Sequence, residues 1–269
     1  SMAAWDRAAG MLEQYRTSYP DSEFADDIAQ KLAVTYMETG RGAEAAAEFE
    51  RIAVAEGSSE DVRREALWKA AELYEASGAV SSEKRVLENI VARYPDPLAE
   101  SIEARYRLLE IADSQGNSAE VTARLNDIIQ VDARAGAQRT DRTRFLAAKA
   151  SIRLAESIRK RFEVVQLTQQ LAESMKLKRS LMEDVIEAYT DAADYGVAEV
   201  TTESTFRLAQ VYEAFADDVL ESERPGDLDA DALEQYELLL EEQVFPIEEK
   251  AIDLYKANSD RASDGIWDE

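Results

Sequence analysis

The chain has 269 residues, and 56 acidic side chains against 31 basic ones give a net charge of −25 at neutral pH, with neither histidine nor cysteine present. That balance disfavours nucleic acid and anionic lipid surfaces, which are bound through Lys and Arg on phosphates, and the missing residue types remove disulfides, thiolate and histidine catalysis, and zinc sites built from Cys or His. A hydrophobic share of 45% with ten Gly and five Pro indicates a folded, helix-rich chain, and no apolar run approaches the roughly 18 residues of a membrane-crossing helix.

Ser1-Met2 reads as a vector-derived remnant. Residues 3–18 place Ala8, Leu12 and Tyr15 at helical spacing and stop at Pro20. In the frame set by the next segments this is a second helix without its first. Residues 1–22 are therefore expected to be a truncated repeat, with further native sequence on the N-terminal side.

Three helical pairs follow, 23–39 with 43–56, 60–77 with 81–94, and 98–115 with 118–132, the middle one closed by Pro95 and Pro97. One register of 38 residues relates them: Leu32, Ala33, Tyr36, Gly40, Ala45, Phe49 and Ile52 correspond to Ala70, Ala71, Tyr74, Gly78, Glu83, Leu87 and Ile90. The third set is Leu108, Leu109, Ala112, Gly116, Val121, Leu125 and Ile128. A fixed period of this size marks a stacked-repeat protein, in which each hairpin's apolar face is covered by its neighbours. Gly40, Gly78 and Gly116 are expected to take the left-handed conformation that ends a helix, and Ser22, Ser59 and Ser118 are expected N-caps. Residues 23–133 thus predict three regular repeats.

After Gly136 the register loosens. Residues 140–161 predict one long helix and 170–194 another, and Thr201 or Thr202 is expected to cap a third that carries Leu208, Ala209 and Tyr212. An insertion from Glu221 to about Asp231 precedes a last long helix from about Ala232, expected to break near Pro246, with Ala251 and Tyr255 beyond it. Residues 134–269 therefore predict irregular repeats with long helices.

Leu32-Ala33-Tyr36 with Ala45-Phe49, and Ala71-Tyr74 with Pro95, resemble the tetratricopeptide repeat family. The third copy departs from the pattern at Ala112, and the period of 38 exceeds the family's usual 34. The resemblance implies an all-α, right-handed α-solenoid of helical hairpins, here about five repeats, the first truncated and the last two expanded. The stretch from AADYGVAEV through LEQYELLLEEQ to DGIWDE is also similar to the C-terminal part of large bacterial envelope-associated repeat proteins, some linked to TonB-type systems. That second likeness implies a periplasmic scaffold; a cytoplasmic one is the alternative.

Carboxylates are plentiful, so pairs of them carry little weight. Asp26-Asp27 and Asp217-Asp218 project about 100° apart on a helix, which suits solvated faces better than acid-base chemistry at one atom. A calcium loop beginning at Asp227 lacks the required Gly and Glu, having Ala232 and Leu238 in their places. An acidic helix start is the better reading there. There is no phosphate-binding glycine loop and no nucleophile elbow, so no cofactor is implied and a carboxylate-based enzyme is a remote alternative. Charge is uneven: Arg134 to Arg179 carries 12 basic against 4 acidic residues, whereas the part from Glu221 carries 16 acidic against 4 basic. Self-association through residues 134–179 is one consequence; the plainer alternative is local pairing of those cations.

In the family the first helix of each repeat lines the concave face. Carried over, that frame puts Gln30, Trp68, Tyr106 and Phe206 at one groove position, with Val34, Glu72, Glu110 and Gln210 beside them, then Met37, Glu75, Asp113 and Glu213. An aromatic ladder flanked by acids suits a segment of a partner protein bearing Lys or Arg and a few apolar anchors. The expected function is thus a non-catalytic protein-binding scaffold. The alternatives are a structural spacer or oligomerisation arm, and aromatics that merely pack between helices.

Overall fold

The computed structural model describes residues 2–168, 171–226 and 228–263, and every regular segment among them is helical. Asp227 of the calcium-loop reading and the terminal DGIWDE of the envelope-protein likeness lie outside the described residues. The chain divides into two compact units, one ending at Arg124 and the other beginning at Leu125.

In the first unit α1 (Met2–Ser18), α2 (Ala25–Glu38), α3 (Gly42–Val54), α4 (Glu60–Ala76), α5 (Val80–Arg93) and α6 (Leu98–Ser114) pack in succession, each on the one before it; α7 (Ser118–Ala133) comes next in the chain and contains the division between the units. This is the hairpin stack of an α-solenoid. The register positions make its core: Leu32, Ala70 and Leu108 are fully buried, as are Leu87, Ile90 and Ala112. The turns repeat with the same chemistry. Gly40, Gly78 and Gly116 have φ of 72°, 70° and 67°, where a side chain is strained. The N–H after each glycine donates to the carbonyl five residues back, Arg41 to Tyr36 at 2.8 Å, Ala79 to Tyr74 at 2.9 Å and Asn117 to Ala112 at 3.1 Å. Each glycine's own N–H donates three residues back. Together these bonds form the Schellman cap, which satisfies carbonyls that a helix end leaves open.

Of the expected N-caps, Ser59 accepts from the Val62 N–H at 3.3 Å and caps α4. Ser22 instead accepts from the Phe24 N–H, ahead of α2, and Ser118 lies inside α7, whose cap is Asn117 accepting from the Glu120 N–H. Asparagine reaches the same donor, one residue earlier in the chain.

The second unit holds α8 (Asp141–Glu163), α9 (Leu171–Ala193), α10 (Ala198–Leu220) and α11 (Ala230–Ser263) around Phe162, Val185, Tyr189, Val211 and Phe215. Thr140 and Thr143 close a reciprocal capping box at the start of α8. Thr201 and Thr202 do not cap α10; both lie within it, because Val200 is fully buried and the helix begins just after the left-handed Gly196.

Nor does α11 break at Pro246: the helix is continuous from Ala230 to Ser263. Proline removes the bond to the Glu242 carbonyl, but Glu242 and Pro246 are both exposed, so the break falls on the solvent side of the helix, while Leu240, Val244 and Ala251 hold the two halves against the unit. Pro246→Ala restores the backbone bond and is expected to stabilise the protein by about 1 kcal/mol, the helix gain less the added freedom of the unfolded chain. Urea denaturation checks this; a lowered midpoint would mean the packing needs the proline bend.

Candidate functional site

On α4, Trp68, Glu72 and Glu75 follow at i, i+4 and i+7, and so share one helix face; on α6, Tyr106, Glu110 and Asp113 do the same. Trp68 is half-buried against the core of the first unit, and its indole Nε1 donates to Glu100 Oε2 at 3.1 Å. The same carboxylate oxygen pairs with Arg64 Nε at 3.0 Å, so the ring is held from α6 through a charged acceptor. Around it opens a cleft of about 570 Å³ lined by Glu65, Trp68, Lys69, Glu72, Glu103 and Arg107, among others. Tyr106 is half-buried on the neighbouring helix, and its hydroxyl has no hydrogen-bond partner among the described residues.

Arg107 organises the acids of this face. Its Nη2 pairs with Glu75 at 2.8 Å and with Glu83 at 2.6 Å. Glu83 occupies the register position of the fully buried Ala45, so a carboxylate sits where the repeat needs a methyl group, and Arg107 is its counter-ion. Lys69 pairs with Glu72 at 2.9 Å. Partial burial, and after it the Glu75 carboxylate, pushes the Glu110 carboxyl above its ordinary value, with Arg107 pulling the other way and Glu103 and Glu83 adding to the rise. The face therefore carries more negative charge than its own cations offset.

The remaining frame residues fall in two places. On α2, Gln30 and Val34 line a cleft of about 520 Å³ with Trp5 and Leu12 of α1, and Val34 and Met37 are exposed. On α10, in the second unit, Phe206 meets Tyr255 edge-on with ring centroids 5.7 Å apart, and Glu213 accepts from the Tyr255 hydroxyl at 2.7 Å. Gln210 accepts from Arg207 at 3.0 Å. These three side chains are thus engaged within their own unit.

Arg64, Glu100 and Arg107 were not among the residues read from the sequence. One signal was available, because Lys31, Lys69 and Arg107 stand 38 residues apart and mark a recurring cation beside the groove position.

Elsewhere the acidic pairs diverge. Asp26 and Asp27 are both exposed, but Asp218 is not a merely solvated acid: it forms an ion pair with Lys178 Nζ at 2.6 Å. Asp229 Oδ1 accepts from the Ala232 N–H at 2.9 Å and so opens α11 as an acidic cap. Within 134–179, Arg139, Arg144, Lys149 and Arg159 all pair inside the second unit, with Asp132, Asp141, Glu199 and Glu156. Among the described residues no group of His, Cys, Asp or Glu is placed to hold a metal ion, and no helix is long and apolar enough to cross a membrane.

A sequence profile described as "Tetratricopeptide repeat" matches residues 65–97, which cover most of α4 and all of α5. No curated protein matches the chain. Among solved structures it is similar to TPR-like repeats of a Podosopora anserina protein described as a kinesin light chain, at 17% identity and a TM-score of 0.38, over 85% of this chain and 98% of that one. A single-substitution variant of the same protein gives 17% identity and 0.38 over 86% and 99%.

Proposed function

We propose that the first unit is a non-catalytic scaffold that docks an extended or helical segment of a partner protein, bearing Lys or Arg and an apolar anchor, against the α4 and α6 face. Tetratricopeptide repeats generally mediate protein–protein interaction, and the match over 65–97 falls on the helices that carry Trp68. The observation that carries the finer reading is Trp68 itself. Its ring is fixed by Glu100, is accessible in a cleft, and is surrounded by Glu65, Glu72 and Glu103. A ring already ordered loses little entropy on binding, and surrounding carboxylates steer and orient a cation. A cation arriving beside Glu110 also opposes the partial burial and the neighbouring carboxylates that raise its pKa. The periplasm is the compartment that the C-terminal likeness supports.

The test is Trp68→Ala combined with Tyr106→Ala. Partners recovered by the immobilised protein are expected to fall at least about tenfold, the scale of losing one central aromatic anchor, while the far-ultraviolet circular dichroism stays unchanged. Recovery is also expected to weaken with salt. Undiminished capture by a folded double variant would end this reading.

A further inference from the structure

The last helix has two apolar faces, and the unit uses one. Leu240, Val244 and Ala251 are buried toward α10, with Tyr236 and Ile247 packed beside them. On a second side stand Leu238, Phe245 and Ile252, exposed by 55%, 59% and 49%, with the exposed Leu239 off their line. At 100° per residue these three lie about 120° from the buried line and within about 40° of one another, a single stripe about 20 Å long. Their spacing is seven residues, and the charges keep the same period: Glu234, Glu241 and Glu248 run along one side of the stripe and Glu242 and Glu249 along the other. All five glutamates are exposed, and among the described residues none of them has a hydrogen-bond or ion-pair partner. From Glu234 to Lys256 the helix carries seven acids and two lysines.

A repeat of seven is shorter than two full turns, so the stripe drifts slowly around the helix; a second helix follows it by crossing at a shallow left-handed angle. Exposed apolar side chains aligned in this way are not needed by the fold, which is already sealed on the other face. Charge decides what covers them. A copy of α11 laid on the stripe sets glutamates against glutamates in either direction, which is repulsive. A helix with apolar residues every seventh position and Lys or Arg on both flanks fills the stripe and neutralises both rails.

We propose that the outer face of α11 is a docking surface for a basic amphipathic helix of a partner protein, separate from the α4 and α6 face. The probe is a synthetic peptide of about three heptads with Leu at each seventh position and Lys on the flanks. Two controls accompany it, one with Glu replacing Lys and one with Ser replacing Leu. The 269-residue chain is expected to bind the Lys-flanked peptide and neither control. Leu238→Ser with Phe245→Ser is expected to weaken binding at least about tenfold, and Glu241→Gln with Glu248→Gln to flatten its salt dependence. Because these positions are exposed, both variants are expected to remain folded, which circular dichroism verifies. The Trp68→Ala, Tyr106→Ala protein is expected to bind the peptide as the unchanged protein does, so the fate of the other face does not enter. Equal binding of the Glu-flanked peptide, or indifference to the serine substitutions, overturns the proposal. So does a dimer in sedimentation that the serine substitutions dissolve, since the occupant is then a second copy.

Discussion

Lys178→Met is expected to destabilise the second unit by about 3 kcal/mol, the scale of taking a charged donor away from the acceptors it serves. Lys178 is fully buried in the first half of α9. Its ammonium donates to the Phe162 carbonyl at 2.9 Å and the Val165 carbonyl at 2.8 Å, forms an ion pair with Asp218 Oδ2 at 2.6 Å, and stands 4.1 Å from the Phe162 ring centroid. Phe162 lies in the last turn of α8, where a cation is favoured, and its carbonyl also accepts from the Val165 N–H at 3.3 Å. One side chain thus fastens the end of α8, the connector after it and α10 to α9. Methionine keeps the volume but takes the ammonium donor from both carbonyls, of which Phe162 retains a backbone donor, and the counter-ion from a partly exposed Asp218. Asp218→Asn, which leaves the ammonium its carbonyl partners, is expected to cost only about 1 kcal/mol. Urea unfolding of both variants checks the pair, and a Lys178→Met loss below that of Asp218→Asn would show that the carbonyls do not depend on the lysine.

Tyr74→Phe is expected to cost about 2 kcal/mol, as for a hydrogen bond to a charged acceptor, and to remove part of the protein's alkaline instability. The Tyr74 hydroxyl donates to Glu50 at 2.7 Å, and Arg85 holds the same carboxylate. The device recurs as Tyr36 on Glu13 with Arg41, Tyr189 on Glu156 with Arg159, and Tyr255 on Glu213. Burial first, and then the carboxylate partner, pushes the Tyr36, Tyr74 and Tyr255 hydroxyls up to about 12, and Tyr189 rises too. A group whose folded pKa is raised contributes fully below its unfolded value of about 10 and loses that contribution as pH climbs through the folded value. Stability is therefore expected to fall between pH 10 and 12. The partners Glu13, Glu50 and Glu156 are held below the ordinary carboxylate value; at Glu13 the Tyr36 bond leads, while at Glu50 and Glu156 burial is opposed and outweighed by arginine and tyrosine bonds. Their contribution is present above that ordinary value and is lost as pH falls through the depressed one. Denaturation midpoints at pH 8 and pH 11 test this, and an unaltered alkaline drop in Tyr74→Phe would refute the assignment.

The first unit was legible in the sequence because its determinants are local and periodic. Gly40, Gly78 and Gly116 announce left-handed turns that only glycine takes without strain, and Leu32, Ala70 and Leu108 announce a buried line. The candidate site was legible only in outline. Trp68 and Tyr106 stand on neighbouring first helices as the frame implies, but Glu100 and Arg107 matter through contacts made about 32 residues away in the chain, which no helical period reveals. Lys178 was invisible for the opposite reason. It sits in a basic stretch that reads as surface, and its partners lie on an irregular connector and on a helix 40 residues further along. Pro246 and Thr201 misled because side-chain preferences for breaking and starting helices yielded to the burial of Val244, Ala251 and Val200.

The Schellman turns at Gly40 and Gly78 bound a segment, Arg41 to Gly78, that contains a complete second helix, a complete first helix and both members of the Tyr74–Glu50 bond. Its two ends have the same backbone chemistry, so duplicating it in the gene would join like to like and create no new kind of junction. Such a segment behaves as a cassette, and the length of the binding face becomes a quantity that evolution or an engineer changes in whole steps of 38 residues, leaving each existing hairpin untouched.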